Sequence, residues 1–384
     1  MRVLIDYRPA LRERTGVGEY THELVKALAK AIDPAALDLT VFSSSLRDRL
    51  RIDEHDLDGV RTIDRRVPVR LLNFAWHRFG WPPADALAGR AFDVTHSPHP
   101  LLLPSRTAAQ VVTIHDLSFL QRPDQTRPDV RHDYPALVHD HARRADRILV
   151  SSRYAAGEIV RQLDVPPEKI ALCPPGAPAW PARTAPPEPG YILFVGTLEP
   201  RKNVGVLLDA YERLIQCGSV EGERSGRGVW PPELVLAGKA TPSSRSWLAR
   251  IDRPPLWDRV RHLGYIDAAD RRALYEGARL LVLPSLDEGF GLPVLEAMTV
   301  GVPVVAGNRG ALPEVVSGAG LLVSPDDSEE LAAAIDRMLT DQPFAAECTS
   351  KGLARAREFR WDTTAERVYE AYRGAIEHRR CASA

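Results

Sequence analysis

Two glutamates, Glu288 and Glu296, bracket a loop that contains two glycines, and seven residues separate them. The almost wholly apolar run before the loop, residues 278–284, predicts a buried parallel strand. Pro293 and Gly301 are typical of the first turn and the end of a helix. The loop is therefore expected at the carboxyl end of a strand, where the backbone N–H groups of a helix start suit an anion. Carboxylates repel phosphate, so we expect the two glutamates to address hydroxyls or a reacting centre.

Two basic residues, Arg201 and Lys202, lie in a second turn between a strand and a helix. The apolar run 191–195 predicts the strand, Gly196 opens the turn, and residues 204–216 predict the helix. A helix start disfavours cations, so two positive charges there favour an anion bound between them and the helix. Arg can bind a phosphate through two parallel hydrogen bonds, and Lys adds a mobile charge. Simple solvation of both side chains is the alternative.

A histidine and an aspartate, His115 and Asp116, directly follow a third predicted strand at residues 110–114. A neutral imidazole there could hydrogen-bond a ligand or stabilise developing positive charge. A satisfied structural histidine is the alternative. Gly16 and Gly18 begin another predicted helix and could bring backbone amides to a phosphate, although the two glycines taken alone favour a tight helix entry.

The string that begins at Glu288 resembles the signature of retaining glycosyltransferases of family 4, which have the GT-B fold. It reads E-G-F-G-L-P-V-L-E-A-M-T-V-G-V-P-V-V. Residues 110–119 and 196–203 resemble the same family. The resemblance implies transfer of a sugar from a nucleoside-diphosphate donor to an acceptor hydroxyl, with retention of the anomeric configuration. Residues 116–119 are similar to bacterial mannosyltransferase-like members, which would use GDP-mannose to build surface polysaccharides.

The resemblance assigns a role to each matching position. It places Arg201 and Lys202 on the donor diphosphate, and His115 and Glu288 on the donor sugar; these four are the predicted catalytic residues. Glu296 would accept hydrogen bonds from ribose hydroxyls. The predicted substrate-binding residues are Gly16, Gly18, Asp116, Gly196, Gly264, Tyr265, Ile266, Gly289, Phe290, Gly291, Leu292 and Glu296. Among them, Gly264, Tyr265 and Ile266 would present backbone groups to the base, and core packing is the alternative for Tyr265.

Strands alternate with helices along the whole chain, which predicts an α/β fold with two doubly wound, Rossmann-like domains, the GT-B arrangement in which the domains face a cleft. A proline-rich stretch, residues 174–189, is typical of a semi-rigid linker. We therefore predict an acceptor-side domain over residues 1–178 and a donor-binding domain over residues 179–360. The resemblance implies that a last helix, residues 361–384, returns to the first domain. Residues 217–232, rich in Gly, Ser and charge, are expected to form a surface loop.

Four aromatic residues crowd the segment 74–81, with basic residues nearby: Phe74, Trp76, Phe79 and Trp81. They could form an acceptor platform or an interfacial membrane contact. A helix whose aromatic side chains pack into the core is the alternative.

The bulk properties exclude several classes of protein. The 50 basic and 51 acidic residues nearly cancel, which gives no electrostatic case for nucleic acid. Asp56 and Asp58 have the D-x-D form of metal-dependent enzymes of another fold, but they lie in a charged segment that is typical of a solvated surface. No metal or cofactor is therefore expected. The N-terminus does not predict a signal peptide, and a spanning helix would need about 18 apolar residues in a row, so we expect a cytoplasmic protein, with the inner face of the membrane as a further contact.

The expected partners are a GDP- or UDP-sugar and a glycan or lipid-linked acceptor. Two alternatives share the fold. A sugar-nucleotide epimerase would need no acceptor, and an inactive partner would bind a nucleotide sugar without turnover.

Overall fold

The structure, a computed structural model, describes residues 1–11, 14, 16–46, 48–50, 56–121, 128–225 and 230–383. The chain falls into two compact units, Met1–Gly176 with Arg360–Ala384 and Ala177–Phe359. The sequence predicts these divisions after residues 178 and 360.

The first unit is built on a parallel sheet with seven strands in the described part of the chain. The strands are β1 Arg2–Asp6, β2 Asp38–Ser44, β3 Arg61–Arg65, β4 Val94–Ser97, β5 Ala109–Thr113, β6 Arg147–Val150 and β7 Ile170–Leu172. Their order across the sheet is β3-β2-β1-β4-β5-β6-β7. The helices are α1 Gly16–Ala31, α2 Val69–Phe79, α3 Ala84–Ala88, α4 Ser118–Gln121, α5 Pro128–Arg144, α6 Arg153–Leu163 and the last helix of the chain, α14 Trp361–Ser383. Helix α14 packs on α1 and on the sheet of this unit.

The second unit repeats the plan with a parallel sheet of six described strands. They are β8 Tyr191–Val195, β9 Leu234–Ala237, β10 Val260–Gly264, β11 Ala278–Leu283, β12 Val304–Gly307 and β13 Leu321–Val323, in the order β10-β9-β8-β11-β12-β13. The helices are α7 Val204–Ser225, α8 Arg245–Ile251, α9 Ala268–Glu276, α10 Leu292–Val300, α11 Leu312–Val316, α12 Ser328–Thr340 and α13 Gln342–Ala356.

The central strands are buried because helices cover both faces of each sheet, which is why they read as continuous apolar runs. Leu281, Val282 and Leu283 of β11 are each 0% exposed. The prediction of an α/β fold with doubly wound parallel sheets is confirmed.

The strand order reverses once in each sheet, between β1 and β4 and between β8 and β11. Open α/β sheets bind ligands at such a point, outside the carboxyl ends of the strands, because the loops there diverge to opposite faces. The topology therefore selects the loops after β1, β4, β8 and β11 as the places where function is expected.

The prediction of a surface loop at residues 217–232 is wrong over residues 217–225. Helix α7 continues to Ser225, nine residues beyond the predicted end of the helix. The indole ring of Trp230 packs against the backbone of Gly218, in the space that any larger side chain would fill. The composition of the segment favours a loop, but this tertiary contact supports the added turns of helix.

Candidate functional site

The loops after β8 and β11 form one structure. The two strands pair in parallel, so both loops leave the same edge of the sheet. The backbone N–H of Leu286 donates to the carbonyl of Arg201 across 2.8 Å, and the side-chain amide of Asn203 donates to the carbonyl of Pro284 across 3.1 Å. Two motifs that lie over 80 residues apart in the sequence are thereby joined at the switch point of the second sheet.

Glu288 lies at the centre of this structure and accepts three side-chain hydrogen bonds. Lys202 Nζ lies 2.5 Å from Oε1, Ser285 Oγ lies 2.7 Å from Oε1, and Arg201 Nη1 lies 3.2 Å from Oε2. Glu288 and Lys202 are both buried, at 6% and 7% exposure. The structure therefore brings three of the four predicted catalytic residues into contact.

The two cations keep Glu288 ionised. Burial by itself raises the pKa of the Glu288 carboxyl, but the nearby charges of Lys202 and Arg201 and the hydrogen bonds outweigh it, and the pKa falls to about 2. At neutral pH this group accepts hydrogen bonds and has no proton to donate.

Arg201 is also fixed by groups that its own turn and the neighbouring loop supply. Its Nε donates to Glu199 Oε1 across 2.7 Å, and Nη1 donates to the carbonyl of Asp287 across 3.2 Å. The guanidinium is only partly buried, and its planar fork carries five N–H donors. The surrounding contacts thus hold it in one orientation, as a binder of phosphate requires.

Helix α10 begins directly after the loop, and its N-cap is Gly291. This residue has φ 107°, in the left-handed region, and a Cβ there would lie 2.8 Å from Leu312 Cδ2. A glycine offers no side-chain oxygen to the first-turn N–H groups, which leaves that place to an anionic ligand. Leu292 is the first helical residue, and the ring of Phe290 packs edge-on against Phe359, 5.5 Å between centroids. Gly289 lies between Glu288 and this packed ring.

Glu296 lies on α10, one turn beyond this start, and is 7% exposed. Arg271 Nη1 donates to Oε1 across 2.9 Å, and the hydroxyl of Tyr275 donates to Oε2 across 2.6 Å. Different side chains therefore donate to the two predicted glutamates.

The predicted base-binding residues follow β10. Gly264 ends that strand with φ 72°, and a Cβ on it would meet no other atom within 4 Å. Tyr265 is half-buried, with the Lys239 ammonium 5.8 Å from its ring centroid, whereas Ile266 packs against the core. Gly196, at the end of β8, approaches Gly238 so closely that a side chain at Gly238 would collide with the Gly196 carbonyl. This contact accounts for the glycine at 238, whereas a Cβ at Gly196 would come no closer than 3.4 Å to its neighbours, the nearest being the side chain of Lys202.

In the first unit, His115 follows β5 and its Nε2 atom is buried without a hydrogen-bond partner among the described residues. The ring of Tyr20 packs edge-on against it, 4.7 Å between centroids. Burial lowers the pKa of His115 to about 4, so the imidazole is neutral at pH 7. Asp116 Oδ1 accepts hydrogen bonds from the N–H and the hydroxyl of Ser118, at 3.1 and 2.7 Å, and so shapes the start of α4.

The two glycines at the start of α1 differ. A Cβ at Gly18 would lie 2.5 Å from the carbonyl oxygen of Pro9, so close packing accounts for this glycine. Gly16 is exposed and has open space around it, which is compatible with the approach of a ligand.

Sequence reasoning missed a buried ion pair at the switch point of the first sheet. Asp6 ends β1 and accepts hydrogen bonds from Arg8 Nε and Nη2, at 2.8 and 2.6 Å, while His99 Nε2 lies 3.4 Å away. Arg8 Nη1 also donates to Asn73 Oδ1 of α2 across 2.7 Å. The available signal was an acidic residue directly at the end of the first strand.

Sequence reasoning also missed four other contacts with predicted site residues. Glu199 pairs with Arg201, Ser285 donates to Glu288, and Arg271 and Tyr275 both donate to Glu296. Glu199 and Ser285 lie within three residues of a predicted site residue, which could have drawn attention to them. Arg271 and Tyr275 lie on another helix and carry no such signal.

The aromatic segment forms α2 and presents two faces. Leu72 and Trp76 are buried in the core of the first unit, as the packing alternative predicts. Phe74, Phe79 and Trp81 are 60%, 69% and 64% exposed. The core therefore accounts for only part of the segment.

The D-x-D pair lies on the surface of the same unit. The carboxylate of Asp56 is bound to Lys26 Nζ at 2.5 Å. Within the described ranges, the structure groups no three His, Cys, Asp or Glu side chains as a metal site would need. Likewise, no described helix is long and apolar enough to cross a bilayer.

Known proteins match both units. Residues 15–176 match the family model described as a glycosyl transferase 4-like domain, and residues 189–341 match that of glycosyl transferases group 1. The O-antigen chain mannosyltransferase B of Escherichia coli is 32% identical, over 97% of this chain and 100% of that protein. The D-inositol 3-phosphate glycosyltransferase of Salinispora tropica is 30% identical, over 61% of this chain and 52% of that protein.

Two solved structures show the same fold. Sucrose-phosphate synthase from Thermosynechococcus elongatus aligns with a TM-score of 0.77 at 22% identity, over 97% of this chain and 98% of that one. The Anabaena protein HepE, in complex with UDP and glucose, aligns with a TM-score of 0.69 at 18% identity, over 96% and 98%. Together with the family models and the relative matched over its full length, they show that this chain belongs to the family-4-like, group 1 glycosyltransferases and is a glycosyltransferase with the GT-B fold.

Proposed function

We propose that this enzyme transfers mannose from a nucleoside-diphosphate sugar to a hydroxyl of a growing polysaccharide or glycolipid, with retention of configuration. The preferred donor in this proposal is GDP-mannose rather than a UDP-sugar. The observation that carries the proposal is the convergence of Arg201 and Lys202 on Glu288 beside the start of α10. The choice of mannose is supported by the full-length relative, which is named an O-antigen chain mannosyltransferase.

The chemistry that this site suits is stabilisation of a leaving diphosphate. As the glycosidic C–O bond breaks, negative charge grows on the diphosphate, and fixed donors aimed at it lower the barrier. Arg201 and Lys202 supply the charge, and the backbone at Phe290 to Leu292 adds dipoles of fixed direction. Glu199 holds Arg201, Glu288 holds Lys202, and Ser285 holds Glu288. Little reorganisation of these side chains is therefore needed when the donor binds.

The carboxylates serve as hydrogen-bond acceptors in this proposal. Glu288 is ionised and accepts from a hydroxyl of the donor sugar, and Glu296 accepts from the ribose. The proposal contains no covalent nucleophile. His115, neutral at pH 7, would use its Nε2 atom to hydrogen-bond a sugar hydroxyl. The basic side chains take the part that a divalent ion has in other transferases, so we propose activity that a metal chelator leaves unchanged.

We also propose a cytoplasmic enzyme with a peripheral membrane contact through the outer face of α2. Residues 65–84 contain four arginines and no acidic residue. Leu71, Phe74, Phe79 and Trp81 are exposed on or beside the helix, and the rings of Phe74 and Phe79 pack together at 5.8 Å. Exposed aromatic side chains with flanking arginines suit an interface with anionic lipid. A lipid-linked acceptor would be presented at that surface.

Incubation with GDP-mannose, UDP-glucose and a mannose-terminated acceptor tests the transfer. Release of the nucleotide that depends on the acceptor, with an α-linked product from an α-linked donor in the NMR spectrum, is expected. A rearranged sugar that forms without acceptor would identify an epimerase instead. Binding of the nucleotide sugar without turnover would identify an inactive partner.

A further inference from the structure

Arg271 and Tyr275 lie four residues apart on α9, so they project from one face of that helix towards α10. Each donates to a different oxygen of Glu296, at 2.9 and 2.6 Å. The terminal torsion of a glutamate is otherwise broad, and one donor would leave the carboxylate able to rotate. Two donors on the two oxygens fix both its position and its plane.

The donors are themselves held. Tyr275 is 0% exposed and its ring lies 5.9 Å from that of Trp180, while the side chain of Arg271 is 12% exposed. Burial raises the pKa of Tyr275 well above its usual value, so the phenol keeps its proton and remains a donor. A carboxylate can accept about four hydrogen bonds, so the donors from Arg271 and Tyr275 do not by themselves saturate it.

We infer that Arg271 and Tyr275 are positioning residues that orient Glu296 towards the 2′- and 3′-hydroxyls of the donor nucleotide and so make the site selective for ribonucleotides. The inference rests on the proposed function, which places a nucleoside-diphosphate sugar at this edge of the sheet. A carboxylate that merely joined α9 to α10 would stabilise the unit equally well but would not discriminate between sugars of the nucleotide.

The test measures dissociation constants for GDP and UDP and for their 2′,3′-dideoxy analogues by calorimetry. We expect wild-type protein to bind the preferred ribonucleotide roughly tenfold or more tightly than its dideoxy analogue, because the analogue lacks the two hydroxyls that would donate to the charged carboxylate of Glu296. Tyr275→Phe keeps the ring and removes one donor. We expect it to reduce that ratio about fivefold, through weaker binding of the ribonucleotide alone.

The control for Tyr275→Phe is Tyr211→Phe, which removes a buried hydroxyl that donates to the Pro232 and Arg259 carbonyls. Arg271→Gln is the second test variant, and its control is Arg272→Gln at the neighbouring position. Both controls should keep the wild-type ratio. Equal weakening of ribonucleotide and dideoxy analogue by Tyr275→Phe, or no change in either, would overturn the positioning role. A wild-type protein that binds neither GDP nor UDP would overturn the proposed function instead.

Discussion

Lys202 Nζ and Glu288 Oε1 lie 2.5 Å apart, although 86 positions separate the two residues in the sequence. Both side chains are buried, so each compensates a charge that would be costly to leave alone. The pair therefore has two roles, since it presents a cation in a fixed position and ties the loop after β8 to the loop after β11.

Removal of the Lys202 charge should affect catalysis and stability separately. We expect Lys202→Met to lower kcat roughly 100-fold, because one donor to the leaving group is lost. It should also lower the free energy of unfolding by about 3 kcal/mol, because Glu288 stays buried without its main partner. Enzyme assays and urea denaturation measure the two effects.

The double variant Lys202→Met with Glu288→Gln distinguishes these effects. It removes the uncompensated charge, so stability should recover in part while kcat stays low. Arg309→Ala, which breaks the exposed pair with Asp326, is the control and should change neither quantity appreciably. A near-normal kcat for Lys202→Met would contradict the role of this lysine in stabilising the leaving group.

The lowered pKa of Glu288 predicts how stability depends on acid. Its folded pKa of about 2 lies below the unfolded value near 4.5, so the folded state gains stability above the unfolded value. That gain, on the order of 3 kcal/mol, is lost as the pH falls from about 4.5 towards 2. Urea denaturation at pH 6, 4.5 and 3.5 should therefore show a smaller pH dependence for Glu288→Gln than for wild type.

Glu347→Gln is the control for this prediction, because Glu347 is 57% exposed on the same unit. It should keep the wild-type pH dependence. If Glu288→Gln and Glu347→Gln gave superimposable profiles, Glu288 would not be the ionised, buried partner that its contacts indicate.

The sequence predicts the parts of the site that local patterns determine. The apolar run of β11 and the glycine-rich loop after it fix a strand end and a helix start, and α10 begins at Leu292 beside the predicted Pro293. The helix after β6 begins in the same local way, because Ser152 caps it by accepting from the N–H of Ala155 at 3.1 Å. These features need only residues that lie close together in the chain.

The parts that the sequence does not predict depend on contacts between distant residues. Tyr275 and Glu296 meet only because α9 packs on α10, and Asp6 meets Asn73 through Arg8 only because α2 packs near the end of β1. The residues of each pair lie more than 20 positions apart, and no fixed spacing in the sequence indicates that they meet. The contact of Trp230 with Gly218, which extends α7, belongs to the same class.

Three histidines with lowered pKa values should make the first unit sensitive to mild acid. Burial lowers the pKa values of His96, His115 and His141 to about 3, 4 and 4. Between these values and the unfolded value near 6.5, the unfolded chain binds protons that the folded unit does not. Stability is therefore highest above pH 6.5 and falls as the pH falls, by roughly 1.4 kcal/mol per pH unit for each titrating histidine.

Hydrogen exchange at pH 7 and pH 4.5, corrected for the intrinsic rates, measures this difference between the units. Peptides from β4 to β6 should lose protection at pH 4.5, whereas peptides from β8 to β12 should change less. His141→Gln offers a carbonyl oxygen to the Leu102 N–H that His141 Nδ1 now accepts at 2.8 Å, and should weaken the effect by about a third. Equal loss of protection in both units would count against this explanation.

The outer face of α2 should bind anionic lipid. We expect the wild-type protein to co-sediment with vesicles that contain phosphatidylglycerol and to bind much less to vesicles of phosphatidylcholine alone, because the arginines of residues 65–84 need anionic headgroups. The double variant Phe74→Ser with Trp81→Ser removes two exposed rings, 60% and 64% exposed, and should reduce binding roughly tenfold or more. Trp257→Ser removes an equally exposed ring, 62%, from the second unit and should bind as wild type does. Normal vesicle binding by the Phe74 and Trp81 variant, or binding that does not depend on lipid charge, would contradict a lipid-binding role for the outer face of α2. Self-association of the wild-type protein through this face in the absence of lipid would instead indicate a second copy of this chain as the partner.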